Sequence, residues 1–225
     1  QGSPSKKDLV SPVVYDDFDR VPIQYLPYVQ SAGNYNDGKF KTTALVHDSA
    51  FYHNLFPSDS VFWSKVQYDA SPLQRPLKIM AEGKSWAGAD TGKTLSQRAN
   101  AASDSVRLWV IDINSEDDIP STSVMYQAGS LLVEEVKDEN GLRKLLYKDE
   151  KGRMVLSKVQ LSASPSTGHS GWLCTYYIYD EMGNLRMVLP PKAVDALIAV
   201  SWNLSANTSI RTGLCYAYYY DSKNR

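Results

Sequence analysis

Several short stretches of the chain are rich in aromatic and β-branched residues, a hydrophobic pattern that is typical of β-strands. The clearest stretch is LCTYYIY, Leu173–Tyr179, and the same pattern returns as LCYAYYY at residues 214–220. In both stretches the odd-numbered and the even-numbered positions carry large apolar side chains. Strands of this kind are predicted to be covered on both faces, or to lie in a curved sheet with a filled interior.

Most of these strands run into an acidic turn, which we call a corner. An aromatic or β-branched run is followed by Asp, then by a turn that often contains Gly, and then by an Arg or Asn that begins the return strand. The Asp side chain can accept backbone N–H groups and Gly supplies a positive φ, so each unit is predicted to be a β-hairpin in an antiparallel meander. A guanidinium after the turn could reach back to the carboxylate. The corner residues are Tyr15, Asp16 and Arg20; Tyr68, Asp69 and Arg75; Asp138 and Gly141; Asp149, Gly152 and Arg153; Tyr179, Asp180, Gly183 and Asn184; and Tyr220, Asp221 and Arg225.

The stretches between the corners predict few helices. Apolar residues form one stripe in Lys192–Val200, which predicts a single short helix near 192–200. Trp202–Thr212 is polar and is predicted to be a loop, and Tyr25–Pro57 a loop-rich insertion with a hairpin turn at Tyr35–Phe40. Val106–Ile113 is predicted to be a strand. Residues 1–12 are interpreted as a flexible segment and 13–225 as one β domain, with a subdivision near 110–125 as an alternative.

Composition and charge narrow the function classes. The chain of 225 residues has 15 Tyr against 5 Phe and 5 Trp, which suits half-buried sheet faces better than deep cores. Its 24 basic and 25 acidic residues nearly cancel, so no nucleic acid or anionic membrane is predicted as an electrostatic partner. No apolar run approaches the roughly 18 residues of a membrane-spanning helix.

Candidate chemistry is sparse. Ala87–Thr94, AGADTGKT, fits a relaxed phosphate-loop pattern, but no alternating strand and helix units surround it, and a polar surface loop is the preferred interpretation. His47, His53 and His169 lack the spacing of metal ligands and are assigned to loops. One Asp at each corner indicates turn formation rather than a pair of glycosidase carboxylates across a cleft. No catalytic residue, metal or cofactor is predicted.

The two cysteines hold equivalent places in two similar strands. If a return strand separates those strands, Cys174 and Cys215 lie about 9–10 Å apart. A disulfide needs Cα atoms within about 7 Å, so two free, mostly buried thiols are predicted. The insertion between the two units could instead make the strands adjacent, which leaves a disulfide open.

The segments YYIYDEMGNLRMVLPP, YKDEKGRMVLSK and YAYYYDSKNR resemble the YD repeats of Rhs proteins. Together with YDASPLQRP, Gly83–Trp86 and VRLW, they resemble the segment that precedes and enters the repeat core in large Rhs-type proteins of Bacteroidetes. The chain departs from that pattern at Asp19 and Asn224, where a turn Gly is usual, and it lacks the family's core-terminating self-cleavage motif. Since it stops within a hairpin at Arg225, it is interpreted as a fragment of a larger protein.

The resemblance implies a strongly curved YD-repeat sheet that spirals into a shell around a C-terminal toxin or other cargo domain, secreted or displayed at the cell surface. The expected partners are then the remainder of the same polypeptide, with further YD repeats and the cargo. On this hypothesis the chain is a non-catalytic structural segment, and Tyr216–Arg225 offers an edge strand that could self-associate. The alternative hypothesis is a cell-surface module that binds carbohydrate or protein through exposed tyrosines.

Overall fold

The computed structural model describes residues 6–31, 33–111 and 119–220. It is mainly β, with antiparallel strand pairing, and it contains helices at three places. The chain divides into two compact units. Unit 1 comprises Gln1–Leu95 and Asp138–Asn140, and unit 2 comprises Ser96–Lys137 and Gly141–Arg225.

Unit 1 is a small antiparallel sheet with one helix. Its elements are β1 (Leu9–Val10), β2 (Val13–Val14), β3 (Ile23–Tyr25), β4 (Tyr28–Val29), α1 (Ala44–Leu55), β5 (Trp63–Tyr68), β6 (Pro76–Met80) and the first part of β7 (Lys93–Ala99). The order across the main sheet is β2-β3-β5-β6-β7, while β1 pairs with β4. Thus Leu9–Val10, within the segment predicted to be flexible, forms a paired strand.

Unit 2 contains the longer strands and a larger core. Its elements are β8 (Arg107–Val110), β9 (Ser121–Met125), β10 (Leu132–Lys137), β11 (Arg143–Lys148), β12 (Met154–Gln160), β13 (Trp172–Tyr179), β14 (Leu185–Leu189), α2 (Pro191–Ala199), α3 (Thr208–Leu214) and β15 (Tyr216–Ala217). Strands β10 to β15 follow one another in sequence order across the sheet, and β8 pairs with β9. This is the predicted meander.

The deeply buried side chains of β13 lie on one face of the strand, whereas β12 is buried at four successive positions. Cys174, Tyr176 and Ile178 of β13 are each at most 2% exposed, and α2 packs on β13 and β14 with its Ala193 and Leu197 buried. The opposite face of β13 is only partly covered, since its side chains are half-buried or, at Leu173, exposed. The prediction that both faces are covered is therefore wrong for this strand.

Five predicted hairpins are confirmed by the strand pairing: β2–β3, β5–β6, β10–β11, β11–β12 and β13–β14. The short helix near 192–200 is confirmed as α2, which begins with Pro at its first position, where a missing N–H costs nothing. Of the strand predicted at Val106–Ile113, the structure shows β8 at Arg107–Val110, and its last two residues lie outside the described part of the chain.

Three predictions about the connecting segments are wrong. Tyr25–Pro57 contains the 12-residue helix α1, which packs on β4 and so gives unit 1 a small aromatic core. Tyr35–Phe40 is a turn without flanking strands. Helix α3 occupies the end of the loop predicted at Trp202–Thr212 and continues to Leu214, so the last predicted strand shortens to the two residues of β15.

Candidate functional site

The corners share one hydrogen-bond pattern, seen most completely at Asp16–Arg20 and Asp149–Arg153. The Asp N–H donates to the carbonyl of the Arg four residues later, at 2.9 and 3.0 Å. The Arg N–H donates back to Asp Oδ1 at 3.0 and 2.9 Å, and its Nε donates to Asp Oδ2 at 2.7 and 2.8 Å. The Asp side chain therefore closes the turn and fixes the guanidinium, as the sequence predicted.

Two other corners keep the carboxylate and vary its partner. The Asp69–Arg75 turn is two residues longer, and Arg75 still donates from its N–H at 2.9 Å and from Nε at 3.0 Å. At Asp180 the side-chain amide of Asn184 donates to Oδ2 at 3.1 Å, and Arg186 Nη1 lies 3.5 Å from the same oxygen. The carboxylate is the constant element of the corner.

Each of these corners places one residue in the left-handed region, just before the Arg or Asn. Gly152 and Gly183 have φ of 76° and 92°, and Asp19 and Gln74 have φ of 57° and 49°. Asp tolerates this region better than most residues because its short polar side chain can bond locally. The departure at Asp19 thus leaves the corner geometry unchanged.

Hydrogen bonding shifts the pKa of several corner carboxyls downward. At Asp69 the Ser71 hydroxyl contributes most, with Arg75 adding to it, and lowers the pKa. At Asp16 and Asp180 burial opposes the charged form, but the hydrogen bonds from Arg20 and from Asn184 outweigh it and lower the pKa. These carboxyls are therefore held in the ionised form that the turn requires.

The corner at Asp138 differs. Asn140 N–H donates to Asp138 Oδ1 at 3.0 Å, and Gly141 has φ of 85°. The next arginine along the chain, Arg143, has a different partner. Arg143 Nε instead donates to Glu135 Oε1 at 2.6 Å. Consecutive turns of a meander lie at opposite ends of its strands. The Asp138 turn joins β10 to β11 and the Asp149 turn joins β11 to β12, so the two turns lie at opposite ends of β11.

Tyrosines ahead of the corners link one corner to the next. The Arg20 guanidinium carbon lies 4.8 Å from the ring centre of Tyr68, and that of Arg153 lies 4.9 Å from the ring centre of Tyr179. An arginine fixed at one corner thus stacks on the tyrosine of the next corner at the same end of the strands, which is a favourable cation–π arrangement. The sequence showed the Tyr-Asp pairs but not this contact between successive units. Tyr15 is 63% exposed.

The last predicted corner is described only in part. Tyr220 donates its hydroxyl to the carbonyl of Leu185 at 3.1 Å, and Tyr218 N–H donates to the carbonyl of Arg186. Asp221 and Arg225 lie outside the described residues.

A buried ionic cluster, missed by sequence analysis, lies in unit 2. Asp104 accepts two hydrogen bonds from Arg98, at 2.7 and 2.8 Å, and one from the buried Tyr147 hydroxyl at 3.1 Å. Lys158, fully buried, donates from Nζ to the carbonyls of Asp104, Thr167 and Gly168 at 2.8, 3.0 and 2.7 Å. Burial lowers the pKa of Lys158 to about 8, so it is mostly charged at neutral pH, with all three ammonium protons bonded.

A second buried group surrounds Tyr176. Its hydroxyl accepts the Arg107 N–H at 3.0 Å and lies 2.8 Å from His169 Nε2. Burial, with the charges of Lys158 and Arg107, lowers the pKa of His169 to about 4, so the ring is neutral at neutral pH. The tautomer of the neutral ring decides whether Nε2 donates to the hydroxyl or accepts from it. Trp202 packs on both rings, with ring centres 5.0 and 5.8 Å away.

These buried groups are fixed rather than poised to react. The ammonium protons of Lys158 are occupied, and burial raises the pKa of the neighbouring Cys174 thiol to about 11, which leaves it protonated and a poor nucleophile. Cys174 and Cys215 are both free thiols, as predicted, although Cys215 is only half-buried. Within residues 6–31, 33–111 and 119–220 no group of three metal-binding side chains is found.

Two further candidates from the sequence are now placed. Ala87–Ala89 forms a short 3-10 turn and Lys93 begins strand β7, so the helix that a phosphate loop requires is replaced by a strand. His47 and His53 lie in α1, so their assignment to a loop is wrong. His169 lies in the predicted loop but is partly buried.

Comparison with known proteins adds one match. Residues 1–99 match a family model described as "Domain of unknown function (DUF6443)". No curated protein matches the chain. Among the helices that the structure describes, none has the length and apolar character needed to cross a membrane.

Proposed function

We propose that this chain is a non-catalytic structural segment, a strip of YD-repeat sheet in the wall of an Rhs-type shell that encloses a cargo domain of the same polypeptide. The observation that carries the proposal is the repeated corner, whose arginine stacks on the tyrosine of the next corner at the same end of the strands. Such contacts support lateral growth of a sheet, hairpin by hairpin.

The burial pattern supports the same role. β13 has one deeply buried face and one partly covered face, as a wall with an inside and an outside needs. The buried ionic groups of unit 2 are bonded to backbone carbonyls and to one another, which favours rigidity. In the proposal the complete sheet is strongly curved, its partners are further repeats and a toxin or other cargo, and the assembly is secreted or displayed at the cell surface.

The test uses the natural polypeptide that contains this segment. Electron cryo-microscopy is expected to show a hollow particle with this sheet in its wall, and cargo residues should resist protease. Asp149→Ala, which opens a corner, is expected to speed digestion of the cargo. Asp17→Ala, at an exposed turn position, is the matched control and should digest as the wild type does. A particle without a cavity, or cargo digested equally fast in all three proteins, would refute the proposal.

A second candidate function rests on the exposed tyrosines around β15. Tyr216 and Tyr219 are 63% and 78% exposed, and aromatic rings of this kind stack on sugars. In that case the chain would be a cell-surface carbohydrate-binding module, and the tyrosines around β15 would form its binding surface. A glycan array should show saturable binding that Tyr216→Ala and Tyr219→Ala abolish and that Tyr15→Ala, at another exposed tyrosine, leaves intact. Absence of binding to any glycan would eliminate this candidate.

A further inference from the structure

Unit 2 contains a small cavity between the β8–β9 hairpin region and strands β12 and β13. Its volume is about 130 Å³, which is enough for a small organic ion. Its polar and aromatic lining consists of Arg107, Trp109, Tyr126, Arg153, Tyr177 and Tyr179, and the rest is aliphatic. None of the described residues that line it is Asp or Glu.

Three of the lining residues have an N–H donor without an acceptor. Arg107 Nε, Trp109 Nε1 and Arg153 Nη1 are shielded from solvent and have no hydrogen-bond partner within the described parts of the chain. Buried donors in native proteins are nearly always paired, so three unpaired donors around one cavity need an explanation. An acceptor placed in the cavity could satisfy them after small side-chain adjustments.

The charges around the cavity indicate what kind of acceptor fits. Arg153 is neutralised by Asp149, 2.7 Å from its Nη2. Arg107 makes no ion pair with the described residues, and its guanidinium carbon lies 5.2 Å from the ring centre of Trp202. Among the described residues, therefore, no carboxylate neutralises Arg107, and its stacking on Trp202 holds the guanidinium in place. A group with one negative charge and two acceptor oxygens fits both the charge and the donors.

We propose that this cavity binds a carboxylate group, which accepts from Arg107, Arg153 and Trp109 between the walls formed by the tyrosines. The carboxylate belongs either to a small free acid or to the C-terminus of a peptide. The proposal is independent of the shell, since it concerns a binding site within unit 2.

The test is a titration of the intact chain at constant ionic strength, followed by tryptophan fluorescence and by calorimetry. The probes are acetate, N-acetyl-Gly-Gly with a free carboxylate, the same peptide with an amide end, and inorganic phosphate. Saturable binding of acetate or of the free-carboxylate peptide is expected, and the tighter of the two identifies the source. Binding of the amide-ended peptide with equal affinity, saturable binding of phosphate alone, or no binding would overturn the proposal, the last result meaning that water fills the cavity.

Variants assign the binding to this cavity. Arg107→Gln keeps a polar side chain but shortens it and removes the positive charge, and should weaken carboxylate binding at least ten-fold. Trp109→Phe removes one donor and should weaken it several-fold. Arg211→Gln, on α3 and away from the cavity, is the matched control and should bind as the wild type does. Because a variant could fail to fold, each thermal transition is measured without ligand, and equal affinity in folded Arg107→Gln and wild type would refute the site.

Discussion

Removing the carboxylate at the best-formed corner, Asp149→Ala, should destabilise unit 2 strongly. The Asp149 side chain is 8% exposed and that of Arg153 is 27% exposed. The carboxylate accepts from Lys151 N–H, Arg153 N–H and Arg153 Nε at 3.0, 2.9 and 2.8 Å. Its loss leaves two backbone donors without their acceptor and a largely buried guanidinium without a counter-charge.

The expected magnitude follows from that geometry. A hydrogen bond to a charged group contributes about 1.5–3 kcal/mol, and breaking a buried ion pair costs about 3–5 kcal/mol. Because Arg153 keeps some contact with water, we place Asp149→Ala near the lower end, at about 3 kcal/mol. Asp149→Asn retains an acceptor for the backbone donors and should cost about half as much. Asp69→Ala removes the equivalent carboxylate opposite Arg75, which is 49% exposed, and should cost clearly less than Asp149→Ala because solvent screens this pair.

The assay is guanidinium denaturation followed by tryptophan fluorescence, with hydrogen exchange of β6 and β12 to assign each transition to a unit. The order of the losses in unfolding free energy tests the reasoning. Asp149→Ala should cost unit 2 more than Asp149→Asn does, and both should cost unit 2 more than Asp69→Ala costs unit 1. If Asp149→Ala loses less than about 0.5 kcal/mol, or if Asp69→Ala loses as much as Asp149→Ala, the corners do not hold the sheet by the bonds described.

Three further predictions concern buried groups. Unit 2 should lose up to about 3 kcal/mol of stability as pH falls from 7 to 4, because unfolded His169 binds a proton near pH 6.5 whereas the folded ring has its pKa lowered to about 4; His169→Asn should flatten this profile in denaturation measurements. Unit 1 should show the opposite slope between pH 4 and 6, because burial raises the pKa of Asp48 to about 6, and Asp48→Asn should stabilise it by about 1–2 kcal/mol at pH 7 after allowance for solvent screening. Gly92→Ala should destabilise unit 1 by about 1–3 kcal/mol, since its Cβ would collide with the Ile79 carbonyl, while Gly213→Ala meets open space and should not; equal thermal midpoints for the two would contradict this.

The hairpins and corners could be predicted because their signals are local. Aromatic and β-branched runs, an Asp that caps the turn and a following Arg or Gly are all within a few residues, and the structure forms five of the predicted hairpins. The prediction held even at Asp19, because the left-handed position accepts Asp at small cost. The same local reasoning gave α2, whose apolar stripe and Pro191 lie in one short segment.

What failed depends on tertiary packing. Helix α1 has no capping side chain at Thr43 and no acidic residue in its first turn, and its apolar residues do not form one stripe. It forms because Phe51 and Tyr52 pack with the rings of Tyr28 and Phe62. Helix α3 is seven residues long, too short for a periodic signal, and it shortened the predicted last strand.

The buried groups of unit 2 could not be located from the sequence either. Lys158 and Asp104 are 54 residues apart, and an isolated Lys in a strand is normally assigned to the solvent face. Its partners are backbone carbonyls, which every residue has, so no side-chain motif announces them. The Arg107 cavity depends in the same way on residues from β8, β12 and β13.

The stacking of Arg20 on Tyr68 and of Arg153 on Tyr179 restricts how such a sheet can change length during evolution. Each stack joins two corners at the same end of the strands, and corners at that end recur only once every two strands. Gain or loss of two strands together preserves the contacts between guanidinium groups and tyrosine rings. Gain or loss of one strand moves every later corner to the opposite end of the strands. Natural variants of this segment should therefore differ by even numbers of strands.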